Sequence, residues 1–290
     1  MGGGTWTKAS ADSFVRAKYS TYNACCVDDL SMLNVAQVYD SCSLDPLLDP
    51  RNVMRECRDS AEHPETIPII LALDVTGSMG DAAKMCAAKL NEIMENLYRK
   101  VKDVEFLMMG IGDLAWDRAP IQATQFESDV RILDQATKIY FEGGGGANRY
   151  ESYTAAWYFG LHQTDLDCWK RGKKGIIITL GDEPLNPYLP GSALAHATGI
   201  PTQDVETSTL YKATLEKFDI YHIAITDSHT SYDHYEREIR NSWGKLLGQR
   251  CLYSGCSELD EVIGQIIDDS TGRRILAGTS NPGANEGVRW

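Results

Sequence analysis

Four strand-length apolar runs constrain this chain more than any other feature. Ile69 to Leu73, Val104 to Ile111, Gly175 to Leu180 and Phe218 to Thr226 are almost continuously apolar and do not alternate with polar residues. A strand of that kind has both faces covered, which is the pattern of a parallel sheet between layers of helices. Segments of helical period separate or follow the runs. Cys86, Leu90, Ile93, Met94, Leu97 and Val101 come after the first, Ile239, Trp243, Leu246 and Leu247 after the fourth, and Leu259, Val262, Ile263, Ile266 and Ile267 near the end. The alternation predicts an α/β fold, a doubly wound and mostly parallel sheet with helices on both faces. Ile121 to Asp129 alternates weakly and reads as an edge strand, Ile132 to Tyr140 reads as a short helix, and a further helix is expected from near Tyr150.

This rhythm occupies residues 67–270, the expected α/β domain. Residues 1–66 have few long apolar runs, with Pro46 and Pro50 as breakers, and are expected as an N-terminal extension wrapping or docking on the core. Residues 271–290, rich in Gly, Asn and Ser, are expected as a flexible tail. No run approaches the ~18 apolar residues of a membrane span, and the start lacks the basic and apolar segments of a signal peptide. A soluble, cytoplasmic protein is therefore expected, with no membrane partner. The formal net charge of −13 argues against nucleic-acid binding, since affinity for phosphates comes from clustered Lys and Arg. Eight cysteines without a CxxC pair read as reduced structural thiols, and Cys86 falls on a helix face, where a thiol behaves as a small apolar group.

Polar residues gather where the apolar runs stop. The first run leads into Asp74-Val75-Thr76-Gly77-Ser78 and the third into Gly181-Asp182-Glu183-Pro184. Between them, Gly143 to Gly146 precede Ala147-Asn148-Arg149-Tyr150-Glu151-Ser152. Ligands of an open parallel sheet bind beyond the carboxyl ends of its strands, so the three loops are expected at one edge. A carboxylate at a buried strand end is costly unless something compensates it. Asp74, Thr76 and Ser78 are spaced two apart and can point the same way in an extended or turning backbone. Two carboxylates with two or three hydroxyls suit a hard divalent ion that prefers oxygen and keeps some water. Mg²⁺ is the natural occupant, with Mn²⁺ as a substitute.

Simpler readings exist for each part. A helix-capping role explains Asp74 alone but not the whole set. The glycine loop lacks the Lys-Ser/Thr ending of a phosphate-binding loop. Asp113 in GIGD reads as a turn residue at the same edge. Asp227, Ser228 and His229 with Asp233, His234 and Glu236 offer a weaker second metal-binding set. Neither GxSxG nor HExxH occurs, although Glu183 or a histidine beside metal-bound water is the base a hydrolase would use.

The run LDVTGSMG resembles the DxSxS or DxTGS motif of the metal-ion-dependent adhesion site in von Willebrand factor A (VWA) domains. GGGGANRYESY resembles the glycine-rich second loop of bacterial members, and TLGDEP the third loop with its acidic ligand. The similarity follows order and spacing over residues 66–268. It implies a sheet holding Mg²⁺ at its top edge, with Asp74 binding directly or through water, Thr76 and Ser78 offering hydroxyls, and Asp182 completing the site mostly through water. A partner protein's carboxylate would fill the open position. The family's usual second-loop Thr is missing, and Glu151 and Ser152 are its substitutes here. A third carboxylate at Glu151 would bind the ion more tightly and attract an acidic partner less.

The chain is more similar to stand-alone bacterial or phage VWA proteins than to adhesins. That resemblance implies a non-enzymatic adaptor working beside an AAA+ ATPase of the MoxR type. The alternatives are a structural protein, in which the extension drives homo-oligomer assembly and the ion steadies the fold, and a metal-dependent hydrolase.

Overall fold

The computed structural model describes residues 4–20, 41–79, 81–98, 101, 103–144, 150–228 and 232–272. Cys25, Cys26, the loop residues 145–149, His229 and most of the expected tail lie outside the described residues. In chain order the strands are β1 (Arg55–Cys57), β2 (Ile67–Asp74), β3 (Val104–Ile111), β4 (Ile121–Ala123), β5 (Thr164–Leu166), β6 (Gly175–Gly181), β7 (Tyr188–Leu189), β8 (Val205–Glu206), β9 (Phe218–Ile225) and β10 (Cys251–Ser254). The helices are α1 (Lys8–Ser20), α2 (Asp81–Ala88), α3 (Leu90–Tyr98), α4 (Arg131–Ala136), α5 (Ala155–His162), α6 (Asp167–Lys170), α7 (Gly191–Thr198), α8 (Thr207–Leu215), α9 (Tyr232–Leu247) and α10 (Leu259–Ser270).

Each apolar run is a strand of one sheet with the order β10-β9-β6-β2-β3-β4. Its neighbours are parallel except β4, which runs antiparallel to β3 at the edge. This is the doubly wound α/β architecture that the runs predict. Alternate residues of β2 feed two cores. Ile69, Leu71 and Leu73 share one with Ile93 and Leu97 of α3 and Ile263 and Ile267 of α10. Ile70 and Ala72 share the other with Trp157 and Phe159 of α5 and Trp243 of α9. Burial on both faces is what makes the runs continuous, and each buried large aliphatic or aromatic side chain contributes about 1.5–3 kcal/mol.

The order of the strands also places a crevice. The chain passes from β2 to β3 on one side, then returns as β6 on the other side of β2. Loops leaving β2 and β6 therefore diverge at a topological switch point. Asp74 is the last residue of β2, and Asp182 is the first beyond β6.

Some boundaries differ from expectation. The helical stretch after β2 is divided into α2 and α3 at Lys89. The helix expected near Tyr150 starts at Ala155, because the preceding residues bind the loop after β6: Glu151 makes a bridge with Leu185, and the Thr154 N–H donates to Asn186 Oδ1 at 3.2 Å. Gly248, at φ +59°, ends α9. In the N-terminal segment, Trp6 is buried and stacks on Tyr98 with centroids 6.3 Å apart, and Leu48 accepts a bond from the Ala123 N–H at 2.9 Å. β1 pairs in parallel with β5, beside ion pairs from Arg58 to Asp165 and Asp167. Among the described residues no helix is long and apolar enough to cross a membrane.

Candidate functional site

Asp74 continues the face of β2 that carries Ile70 and Ala72, and it is completely buried where the strand ends. Its Oδ1 accepts the Thr76 N–H at 2.9 Å and the Thr76 hydroxyl at 2.6 Å, while Oδ2 accepts the Tyr153 hydroxyl at 2.6 Å. Ser78 donates to Asp182 Oδ1 at 3.0 Å, and its Oγ lies 3.3 Å from Thr76 Oγ1. Asp74, Thr76, Ser78 and Asp182 thus form a continuous row of oxygens across the crevice between β2 and β6. The two-residue spacing has a local cause: the turn after β2 folds Thr76 back over Asp74 and carries Ser78 towards the neighbouring strand.

Two glycines allow this closure. The Gly77 N–H donates to the Gly144 carbonyl at 2.7 Å, and a Cβ on Gly77 would lie 2.8 and 2.9 Å from the carbonyl oxygens of Gly143 and Gly144. A Cβ on Gly181 would run into the Tyr153 hydroxyl. The loop after β6 is held from behind, with Trp243 Nε1 donating to the Glu183 carbonyl at 3.1 Å and the Leu185 N–H to the Ser242 hydroxyl at 3.1 Å. His222 stacks on Trp243 at 3.8 Å, its Nδ1 2.9 Å from Thr179 Oγ1, and burial lowers it to about 3, leaving the ring neutral.

The second loop contributes differently. Glu151 is buried and its Oε2 has no hydrogen-bond partner. Ser152 is turned towards the loop after β3, where its hydroxyl accepts the Leu114 N–H at 3.0 Å, so it stands apart from the row. Asp113 does serve its turn, accepting the Ala115 N–H at 2.8 Å on Oδ1, yet its Oδ2 is also buried without a partner. Asp182 Oδ2 and Glu183 Oε2 share that condition.

Burial first, then the charge of Asp182, raises Asp74 to about 7. Burial followed by the Asp74 charge raises Glu151 to about 11 and Glu183 to about 8, and burial raises Asp182. Among the described residues no Lys or Arg forms an ion pair with any of these acids. An unpartnered buried polar group costs about 1–3 kcal/mol. Among the described residues no three Asp, Glu, His or Cys side chains converge to hold a metal by themselves. The donor set is two carboxylates with hydroxyls and room in the chemistry for water, which fits a hard ion such as Mg²⁺.

Tyr153, the distant partner of Asp74, leaves no sequence signal beyond Gly181, whose missing side chain makes room for the ring. The weaker second set does not assemble among the described residues. Both oxygens of Asp227 accept the Cys256 N–H at 3.0 Å, Glu236 pairs with Arg240 at 2.9 Å, and His234 packs on Tyr235.

No protein-family model matches the sequence, and no curated protein matches it. Similar solved structures include the pilus adhesin SpaC from Lactobacillus rhamnosus GG in its open conformation, at 11% identity and a TM-score of 0.46 over 77% of this chain. The match spans 31% of the adhesin chain. The conserved hypothetical protein BatB from Bacteroides thetaiotaomicron is similar at 12% identity and a TM-score of 0.44, covering 71% of this chain and 99% of that one. Proximal thread matrix protein 1 from the mussel byssus gives 14% identity and a TM-score of 0.42, with coverages of 70% and 47%.

Proposed function

We propose that this chain is a VWA-type module that binds a protein partner through Mg²⁺ or Mn²⁺ held in the crevice between β2 and β6. Asp74, Thr76, Ser78 and Asp182 would hold the ion, with Glu151 adding a buried carboxyl from the second loop outside that row and Ser152 supporting the loop. The observation that carries this reading is the row of two carboxylates and two hydroxyls, flanked by buried carboxylate oxygens that lack partners. When bound, the ion supplies a coordination position open to an oxygen of the partner.

The chain's own residues prepare that position. Tyr153 and Thr76 orient Asp74, and Trp243 and Ser242 fix the loop that carries Asp182. The resemblance of LDVTGSMG and TLGDEP to the VWA motifs points to binding and not turnover. It also points to an AAA+ ATPase of the MoxR type as the first partner class to test. A pull-down with tagged chain in Mg²⁺, in EDTA and with Asp74→Asn is the test. A partner retained only by wild-type chain in Mg²⁺ is expected. Equal retention in all three would move the binding surface away from the crevice.

A further inference from the structure

Cys86, on the helix that follows the Asp74–Ser78 turn, meets Cys256, in the single 3₁₀ turn that leads into α10. Their Sγ atoms are 3.5 Å apart across 170 residues of sequence, and both side chains are buried. The pair is held from two sides: the Cys256 N–H donates to Asp227 at 3.0 Å, and Cys256 Sγ lies 3.8 Å from the Ala82 carbonyl. A disulfide needs an S–S distance of about 2.05 Å, so closing this pair asks for about 1.5 Å of movement.

We infer that Cys86 and Cys256 form a thiol–disulfide site that, when oxidised, staples α2 to the start of α10. Oxidised glutathione, as a representative low-molecular-weight disulfide, balances the step. One cysteine thiolate displaces a glutathione thiolate to give a mixed disulfide, and the second cysteine displaces the other. Two protein thiols become one disulfide while one oxidised glutathione becomes two reduced ones. The neighbouring Cys256 thiol and then burial push the Cys86 thiol well up, so exchange is slow and follows local opening of this corner. Equilibrium occupancy, not rate, is therefore the quantity to read. The inference does not depend on a metal being bound.

The test equilibrates the full chain in graded ratios of reduced to oxidised glutathione, followed by acid quench, alkylation under denaturing conditions and peptide mapping. Wild type is compared with Cys86→Ser and with a Cys25→Ser/Cys26→Ser/Cys42→Ser variant. The expected result is a linked Cys86–Cys256 peptide in wild type and the triple variant, with a melting temperature about 5 °C or more above the reduced chain, since a cross-link over a long interval restricts the unfolded state. Cys86→Ser shows neither the link nor the rise. Cys86 and Cys256 remaining fully alkylatable at ratios that saturate the exposed Cys42 would overturn the inference, as would pairing of either with another cysteine.

Discussion

At the scale of single residues, the central fact is a buried carboxylate that borrows its donors from near and far. Thr76 was legible beside Asp74 because the two are neighbours in a turn, where spacing alone decides orientation. Tyr153 was not, since it is 79 residues away and reaches Asp74 only through the packing of α5 on the sheet. Tyr153→Phe removes that donor and is expected to cost about 1–3 kcal/mol in EDTA, read by urea unfolding; an unchanged midpoint and slope would contradict the bond. The acids also set a pH dependence. Their folded pKa values are raised by burial above the ordinary carboxylate range near ~4, so the folded state binds more protons than the unfolded one between those limits. Their contribution is fully present below ~4 and is lost as pH rises through about 7 for Asp74 and about 8 for Glu183. In EDTA the melting temperature should fall between about pH 5 and pH 8.5, and saturating Mg²⁺ should flatten that fall. A rise over the same range without metal would be the wrong sign.

At the scale of elements, β2, β3, β6, β9 and α10 could be read directly, because double-sided burial writes a continuous apolar run and a helix against a core writes a 3.6-residue period. The two- and three-residue strands β1, β5, β7 and β8 could not. Elements so short carry no period, and tertiary contacts such as the pairing of β1 with β5 create them. α5 starts later than the sequence predicts for a related reason, since residues 151–154 join two loops before the helix begins. Gly181 shows how an element's end can be shaped for a site. Gly181→Ala is expected to displace the Tyr153 ring, lower stability by about 1–3 kcal/mol and weaken Mg²⁺ binding in calorimetry. Full stability with unchanged binding would mean the ring has room that the structure denies it.

At the scale of the whole molecule, the candidate site joins segments around positions 74 and 182 that the strand order sets side by side, while a bridge from Glu151 to Leu185 ties the second loop to the loop after β6. That convergence was readable in outline, because loops that follow parallel strands share an edge. The inward burial of Glu151, Asp113 and Glu183 was not, since it depends on how the loops close over the crevice. A chain with a formal net charge of −13 that concentrates buried acids at one edge should gain stability as a whole when a cation enters there. The measurement that tests this most directly is thermal unfolding with parallel calorimetry during Mg²⁺ titration, on wild type and Asp74→Asn. Saturable binding to wild type with stabilisation of about 2.7 kcal/mol at a hundred times Kd is expected, with neither effect in Asp74→Asn. Equal responses from the two proteins, or none from wild type at millimolar Mg²⁺, would contradict a metal centre in this crevice.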